Sequence, residues 1–159
     1  MAVRWSRVVL VLLVCGVVGI GLFSVMAWRA TSTEVIGLAD AMRRFDAVHA
    51  RLGSAVPILS LGPDGTVINR APAPADHAAT APDRIIVSVY RPDTQRLVNT
   101  RIPFWFFRIK APAADVALEG TGLSFQRLGI TADELRRYGP RVVIDHRTTR
   151  GGRLLVWTE

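Results

Sequence analysis

Three histidines and one cysteine are the residues of this sequence whose side chains are best suited to bind a metal or to act as a nucleophile. His49, His77 and His146 lie far apart, without the short spacings that place metal ligands on one element. Cys15 lies within a long uncharged stretch, so it is not a solvent-accessible nucleophile. Asp145 and His146 are adjacent in a predicted strand, where neighbouring side chains point to opposite faces, and this argues against a dyad. We therefore predict that the protein is not an enzyme and holds no metal and no cofactor.

A run of four aromatic residues is the second group that could carry function. Phe104, Trp105, Phe106 and Phe107 follow one another directly. On a helix their side chains lie 100° apart and point in four directions, whereas a helix on a sheet buries one face only. We expect Phe104 and Phe107 to share the buried face, and Trp105 or Phe106 to be more exposed. In the alternative interpretation the core takes up all four rings.

Cations surround this aromatic run, at Arg101, Arg108 and Lys110. Aromatic rings rimmed by cations suit a membrane interface or a groove on a protein partner. The candidate residues for membrane or partner contact are Phe104, Trp105, Phe106, Phe107, Arg108 and Lys110.

Length and charge limit the classes of protein that this chain can belong to. It has 159 residues, enough for one domain of ordinary size, and a formal net charge of +7. Arg4, Arg7 and Arg29 contribute three of those charges, so the remaining 130 residues are only mildly basic. That excess is too small for a nucleic-acid-binding surface, and we predict no nucleic-acid partner. A single cysteine excludes an intramolecular disulfide framework and a cysteine-based zinc site.

A stretch of 21 residues from Val8 to Trp28 carries no charge. As a helix it would be roughly 30 Å long, the thickness of the hydrocarbon core of a bilayer. Arg7 and Arg29 bracket it. We predict a single transmembrane helix, with a cleaved signal peptide ending at residues 25–27 as the alternative.

The positive residues that flank this stretch predict its orientation. The short N-terminal flank, with Arg4 and Arg7, is denser in positive charge than the other flank, which favours a cytoplasmic N-terminus and an extracytoplasmic C-terminal domain. The predicted location is the inner or plasma membrane of a bacterium. The predicted partners are the lipid bilayer and a membrane or envelope protein.

An amphipathic helix is predicted directly after the membrane segment. Thr31 and Glu34 have the spacing of a capping box, and Gly53 is a suitable stop. We expect this helix to cover a small sheet. The alternative is a short coiled coil, with a homodimer through residues 34–52. The apolar stripe of this helix comprises Val35, Leu38, Met42, Phe45, Val48 and Leu52.

The rest of the chain predicts hairpins and short helices. The predicted class is α+β, in which an N-terminal transmembrane helix and an amphipathic helix precede two or three β-hairpins that form an antiparallel sheet covered by short helices. The predicted divisions are a flank and membrane helix at 1–29, helix plus hairpin at 30–70, an Ala/Pro-rich linker or loop at 71–83, and a small α+β module at 84–159. Within the module we expect strands at 84–90, 96–102, 141–146 and 153–158, one helix over 104–110 and 113–119 that is interrupted and kinked at Pro112, a short helix at 131–138, and a loop at 120–129.

Two parts of the chain resemble known families. The sequences VNTRIP at residues 98–103 and VIDH at residues 143–146 resemble a small bacterial module sometimes labelled SHOCT-like. That resemblance covers residues 84–159 and implies a ββααββ fold with no established activity. Residues 8–69 resemble extracytoplasmic sensor domains of the PAS/Cache type, which also follow a membrane helix with an amphipathic helix and a hairpin.

These observations favour a non-enzymatic, single-pass, membrane-anchored protein that acts as an accessory or interaction module in the cell envelope. The alternative is an extracytoplasmic ligand-sensing domain that works with a separate output partner. A pocket with converging polar groups would favour the sensor, whereas a fold without a pocket would favour the accessory module.

Overall fold

The computed structural model describes residues 30–53, 56–76, 80–149 and 151–159. The chain divides into two units, Met1–Ser32 and Thr33–Glu159, and the fold described below is that of the second. The predicted membrane segment at 8–28 lies outside the described residues. Among the helices that are described, none is both long and apolar enough to cross a bilayer.

One seven-stranded sheet forms the centre of the α+β fold, in the order β1-β5-β4-β7-β6-β2-β3. The predicted hairpins are confirmed as the antiparallel pairs β2–β3, β4–β5 and β6–β7. The sheet is not antiparallel throughout, because β2 joins β6 in parallel. The strands are β1 Thr31–Val35, β2 Leu59–Leu61, β3 Val67–Arg70, β4 Arg84–Arg91, β5 Arg96–Pro103, β6 Val142–Arg147 and β7 Arg153–Thr158.

The predicted helix start at Thr31 and Glu34 is wrong, because Thr31–Val35 forms the edge strand β1. Threonine and valine favour extended backbone, and β5 offers this segment a row of hydrogen-bond partners. Just past the strand, the amide of Ile36 donates to the carbonyl of Gln95 at 2.9 Å. A capping box contributes about 1 kcal/mol, too little to outweigh a whole strand pairing. The first helix, α1 (Leu38–Arg51), therefore begins after Gly37.

Helix α1 covers one face of the sheet, as predicted. The later residues of its apolar stripe pack inward, whereas Val35 and Leu38 are 71% and 52% exposed because the helix starts later than expected. A homodimer through residues 34–52 stays a prediction, although α1 already uses its apolar side within the chain. The core on this face comprises Ala41, Phe45, Ile86, Tyr90, Leu97, Val142, Leu155 and Trp157.

The opposite face of the sheet carries the larger core, under α2 (Phe104–Ala114) and α3 (Ala132–Tyr138). The single helix expected over 104–119 is an α-helix that continues through Pro112 to Ala114 and then tightens into a 3-10 helix at Asp115–Leu118. The capping box that starts α3 is confirmed, because the Thr131 side chain accepts from the amide of Glu134 at 3.1 Å.

The Ala/Pro-rich segment at 71–83 is attached to the fold at its start. The amide of Ala71 donates to the carbonyl of Ile58 at 2.8 Å, and the Tyr138 hydroxyl donates to the carbonyl of Ala71 at 2.5 Å. Residues 77–79, including His77, lie outside the described residues. Two elements of the fold therefore fix the point at which this segment leaves β3.

Candidate functional site

The four aromatic residues divide between core and surface as expected. Phe107 is fully buried and meets the ring of Phe125 edge to face at 5.1 Å. Phe104 is buried as well, whereas Trp105 is 56% exposed. Phe106 is half-buried, and its ring lies 5.9 Å from that of Trp105, edge to face. Only part of the run is therefore available to a partner.

An exposed strip remains along α2. Ile109, which the sequence analysis did not select, is 64% exposed one turn after Trp105, and Arg108 is exposed between them. The spacings of three and four residues place these side chains on one side of the helix. We call Trp105, Arg108 and Ile109 the α2 surface. The side chain of Lys110 lies outside what the structure describes.

A second candidate lies between α1 and the other face of the sheet, where an open cleft of about 470 Å³ is lined by residues of α1, β4, β5 and β7. Its lining includes four arginines and a single carboxylate, so its side chains carry a formal excess of three positive charges. We call it the arginine cleft. The charged residues that line it are Arg44, Arg51, Arg84, Arg101 and Glu159.

The four arginines of the cleft differ in how far they are neutralised. Arg44 pairs with Glu34 at 2.7 Å. Arg51 forms an ion pair with Glu159, and the Nε of Arg84 lies 4.0 Å from the same carboxylate. Among the described residues, nothing pairs with the side chain of Arg101, which is exposed at the rim. The cleft therefore holds guanidinium groups that the described residues do not saturate.

The floor of the cleft is polar at one point. Ser88 and Asn99 face each other across β4 and β5, and the Ser88 hydroxyl donates to Asn99 Oδ1. Ser88 is only 3% exposed. The neighbouring positions on this face are apolar, with Ile86 and Tyr90 on the same strand and Leu97 opposite. Two neutral polar residues thus lie between these apolar neighbours on the floor of the cleft.

A cluster of charged groups beside the cleft joins α1 to β6 and β7. Arg153, a buried residue, places Nε 2.9 Å from Asp145 Oδ1 and Nη2 2.7 Å from Oδ2. His49 Nε2 lies 2.9 Å from the same Oδ2, and Asp46 lies 3.5 Å from Arg153. His49 is half-buried. Because 96 residues separate His49 from Asp145, no local spacing could have revealed the pair.

The two neighbours Asp145 and His146 do point to opposite faces, as predicted, and their environments differ. Burial alone would raise the pKa of Asp145, but hydrogen bonds and charge from Arg153, together with His49, outweigh it and hold that pKa below its ordinary value. Burial lowers the pKa of His146, against the attraction of Asp145 and Asp64. Asp145 therefore stays ionised as the partner of Arg153.

Within the ranges that the structure covers, no group of three or more His, Cys, Asp or Glu side chains is placed to hold a metal. His49 does not line the arginine cleft. Compared with protein-family models, curated proteins and solved structures, the chain matches none. The resemblances to the SHOCT-like module and to PAS/Cache domains accordingly stay predictions.

Proposed function

We propose that the protein is a non-enzymatic module of the cell envelope, anchored in the membrane by residues 8–28, whose α2 surface rests on the bilayer interface. The observation that carries the proposal is that Trp105 and Ile109 are more than half exposed on a helix whose Phe107 is fully buried. An indole and an aliphatic side chain insert favourably at the headgroup level. Arg108 beside them can pair with anionic lipid.

The role that follows is accessory. A domain held at the membrane by its anchor and by the α2 surface leaves its remaining surface free for a membrane or envelope protein partner. The alternative function, extracytoplasmic ligand sensing with a separate output partner, is favoured by one observation, the arginine cleft with its polar floor.

Tryptophan fluorescence tests the membrane contact in the full chain. Trp5→Phe and Trp28→Phe leave Trp105 on the surface and Trp157 in the core, 6% exposed. In vesicles of phosphatidylglycerol with brominated acyl chains, we expect strong quenching of this chain and little quenching when Trp105→Phe is added. Equal quenching of the two chains would contradict the proposal.

The cationic part of the contact has its own control. Arg108→Gln removes a charge from the α2 surface, and Arg136→Gln removes one from an exposed position on α3. We expect the first variant to reduce Trp105 quenching in anionic vesicles, most clearly at low salt, and the second to leave it unchanged.

A further inference from the structure

We propose that the arginine cleft binds a phosphate-bearing ligand, either the headgroup of an anionic phospholipid or a free phosphate ester. The cleft lies on the face of the sheet opposite α2, so the inference goes beyond the membrane contact proposed above and does not depend on it.

Charge is the first argument. The cleft brings four guanidinium groups around a space of about 470 Å³ and opposes them with the carboxylate of Glu159. If Glu34, the partner of Arg44, is counted as well, an excess of two positive charges remains. Like charges held this close repel one another, and a bound dianion would relieve that repulsion.

The arrangement of donors is the second argument. A guanidinium presents five N–H donors in a planar fork that matches phosphate oxygens. Arg101 uses none of its donors on any residue that the structure describes. The Nε of Arg84, 4.0 Å from Glu159, is too far for a hydrogen bond. These two side chains come from paired strands, so an anion at the cleft mouth can accept from both.

The floor adds a neutral donor. Because the Ser88 hydroxyl donates to Oδ1 of Asn99, the Nδ2 group of Asn99 is left with no acceptor among the described residues. Asn99 is half-buried, so its Nδ2 group can donate to a phosphate or ester oxygen that enters the cleft.

The wall of the cleft indicates what the phosphate is attached to. Phe45, Leu97 and Trp157 line the cleft with apolar surface, and its volume exceeds that of a bare phosphate. Sites for small molecules commonly combine an apolar wall with a few well-placed polar groups. The ligand class that fits is a phosphate ester with an apolar or partly apolar body.

Calorimetric titration of the full chain in nonionic detergent, at fixed ionic strength, tests the site. Two probe pairs differ only in the phosphate group: glycerol 3-phosphate against glycerol, and short-chain phosphatidic acid against the matching diacylglycerol. We expect binding of the phosphate-bearing member only. Arg101→Gln should weaken that binding roughly 10-fold, because it removes a charge-assisted contact. Arg127→Gln removes an exposed arginine from the opposite side of the sheet and should have no effect.

The titrations also separate the two sources of phosphate. Binding of phosphatidic acid at least about 10-fold tighter than glycerol 3-phosphate supports a lipid headgroup, and the reverse order supports a soluble ester. Three results would overturn the proposal: no binding of either phosphate probe, equal binding with and without phosphate, or equal weakening by Arg101→Gln and Arg127→Gln.

A second variant separates binding from folding. Ser88→Ala combined with Asn99→Leu replaces both partners of the floor hydrogen bond by apolar groups on an apolar face, a change that is close to neutral or stabilising. We expect an unchanged or higher melting temperature together with weaker phosphate binding. A chain that melts as before and binds glycerol 3-phosphate and phosphatidic acid as tightly as before would contradict a role for the floor.

Discussion

Arg153 is a buried cation that connects three elements of the domain. Its guanidinium bonds to Asp145 on β6, approaches Asp46 on α1, and lies 5.0 Å from the ring centroid of Phe45. Its side chain is only 6% exposed, so its charge depends on these partners rather than on water. Together with the apolar packing of Ala41 and Phe45, this contact joins α1, and so the wall of the arginine cleft, to the sheet.

We therefore predict that Asp145→Asn destabilises the protein by about 3–5 kcal/mol, because it leaves a buried guanidinium without its main counter-charge. Asp46→Asn is the matched control. Its carboxylate also meets Arg153, but it is 72% exposed and should contribute less than about 1 kcal/mol. Chemical unfolding of the full chain in detergent measures both. Similar losses from the two variants would show that Asp145 has no special role.

The ion pair between Asp145 and Arg153 predicts that the stability of the fold depends on pH. An unfolded aspartate has a pKa of about 3.9, and the pKa of Asp145 in the folded protein is lower. The folded state therefore binds this proton less readily, so the contribution to stability is complete above about pH 4 and is lost as the pH falls through the folded pKa. The free energy of unfolding should fall less steeply below pH 4 in Asp145→Asn than in the parent chain. Parallel curves of unfolding free energy against pH for the parent chain and Asp145→Asn would contradict this prediction.

At the scale of elements, α2 shows how one helix can serve both the core and the surface. Phe104 and Phe107, three residues apart, lie on the sheet side, while Trp105 lies on the outer side. Helical geometry predicted that Phe104 and Phe107 share one face, because the 100° step between residues places side chains three apart about 60° from each other. The sequence could not show that Ile109 extends the exposed strip, since an isolated isoleucine equally well indicates core.

Two truncations on α2 should have opposite consequences. Phe107→Ala removes a fully buried ring and should cost about 3–5 kcal/mol, whereas Trp105→Ala should change stability by less than about 1 kcal/mol. Thermal melting of the full chain in detergent compares them. Equal, large losses of melting temperature would mean that Trp105 belongs to the core, and the membrane contact proposed for the α2 surface would then have to be abandoned.

The first strand shows where local pattern fails. The segment Thr31–Val35 contains a helix-capping spacing and also alternating β-branched residues, and its own sequence does not decide between them. This segment is a strand because it pairs with the free edge of β5, about 65 residues later in the sequence. The charged cluster around Arg153 and the arginine cleft were missed for the same reason: each joins residues of α1 to strands that are distant in the sequence. By contrast, the three hairpins, whose partners are close in sequence, were predicted.

The whole molecule is proposed to work as a domain on a membrane anchor, and its orientation can be measured. The N-terminal flank carries Arg4 and Arg7 ahead of the uncharged stretch, which favours retention of that flank in the cytoplasm. We therefore predict that alkaline phosphatase fused after Glu159 is active in a bacterial host, because that enzyme folds only on the oxidising side of the membrane. The fusion should remain in carbonate-washed membranes at full length, since 21 uncharged residues are longer than the apolar core of a cleaved signal. High activity from a β-galactosidase fusion at the same position would show that the C-terminal domain is cytoplasmic, contrary to the predicted orientation. A mature chain beginning at Trp28 would show that the uncharged stretch is cleaved off and does not anchor the protein.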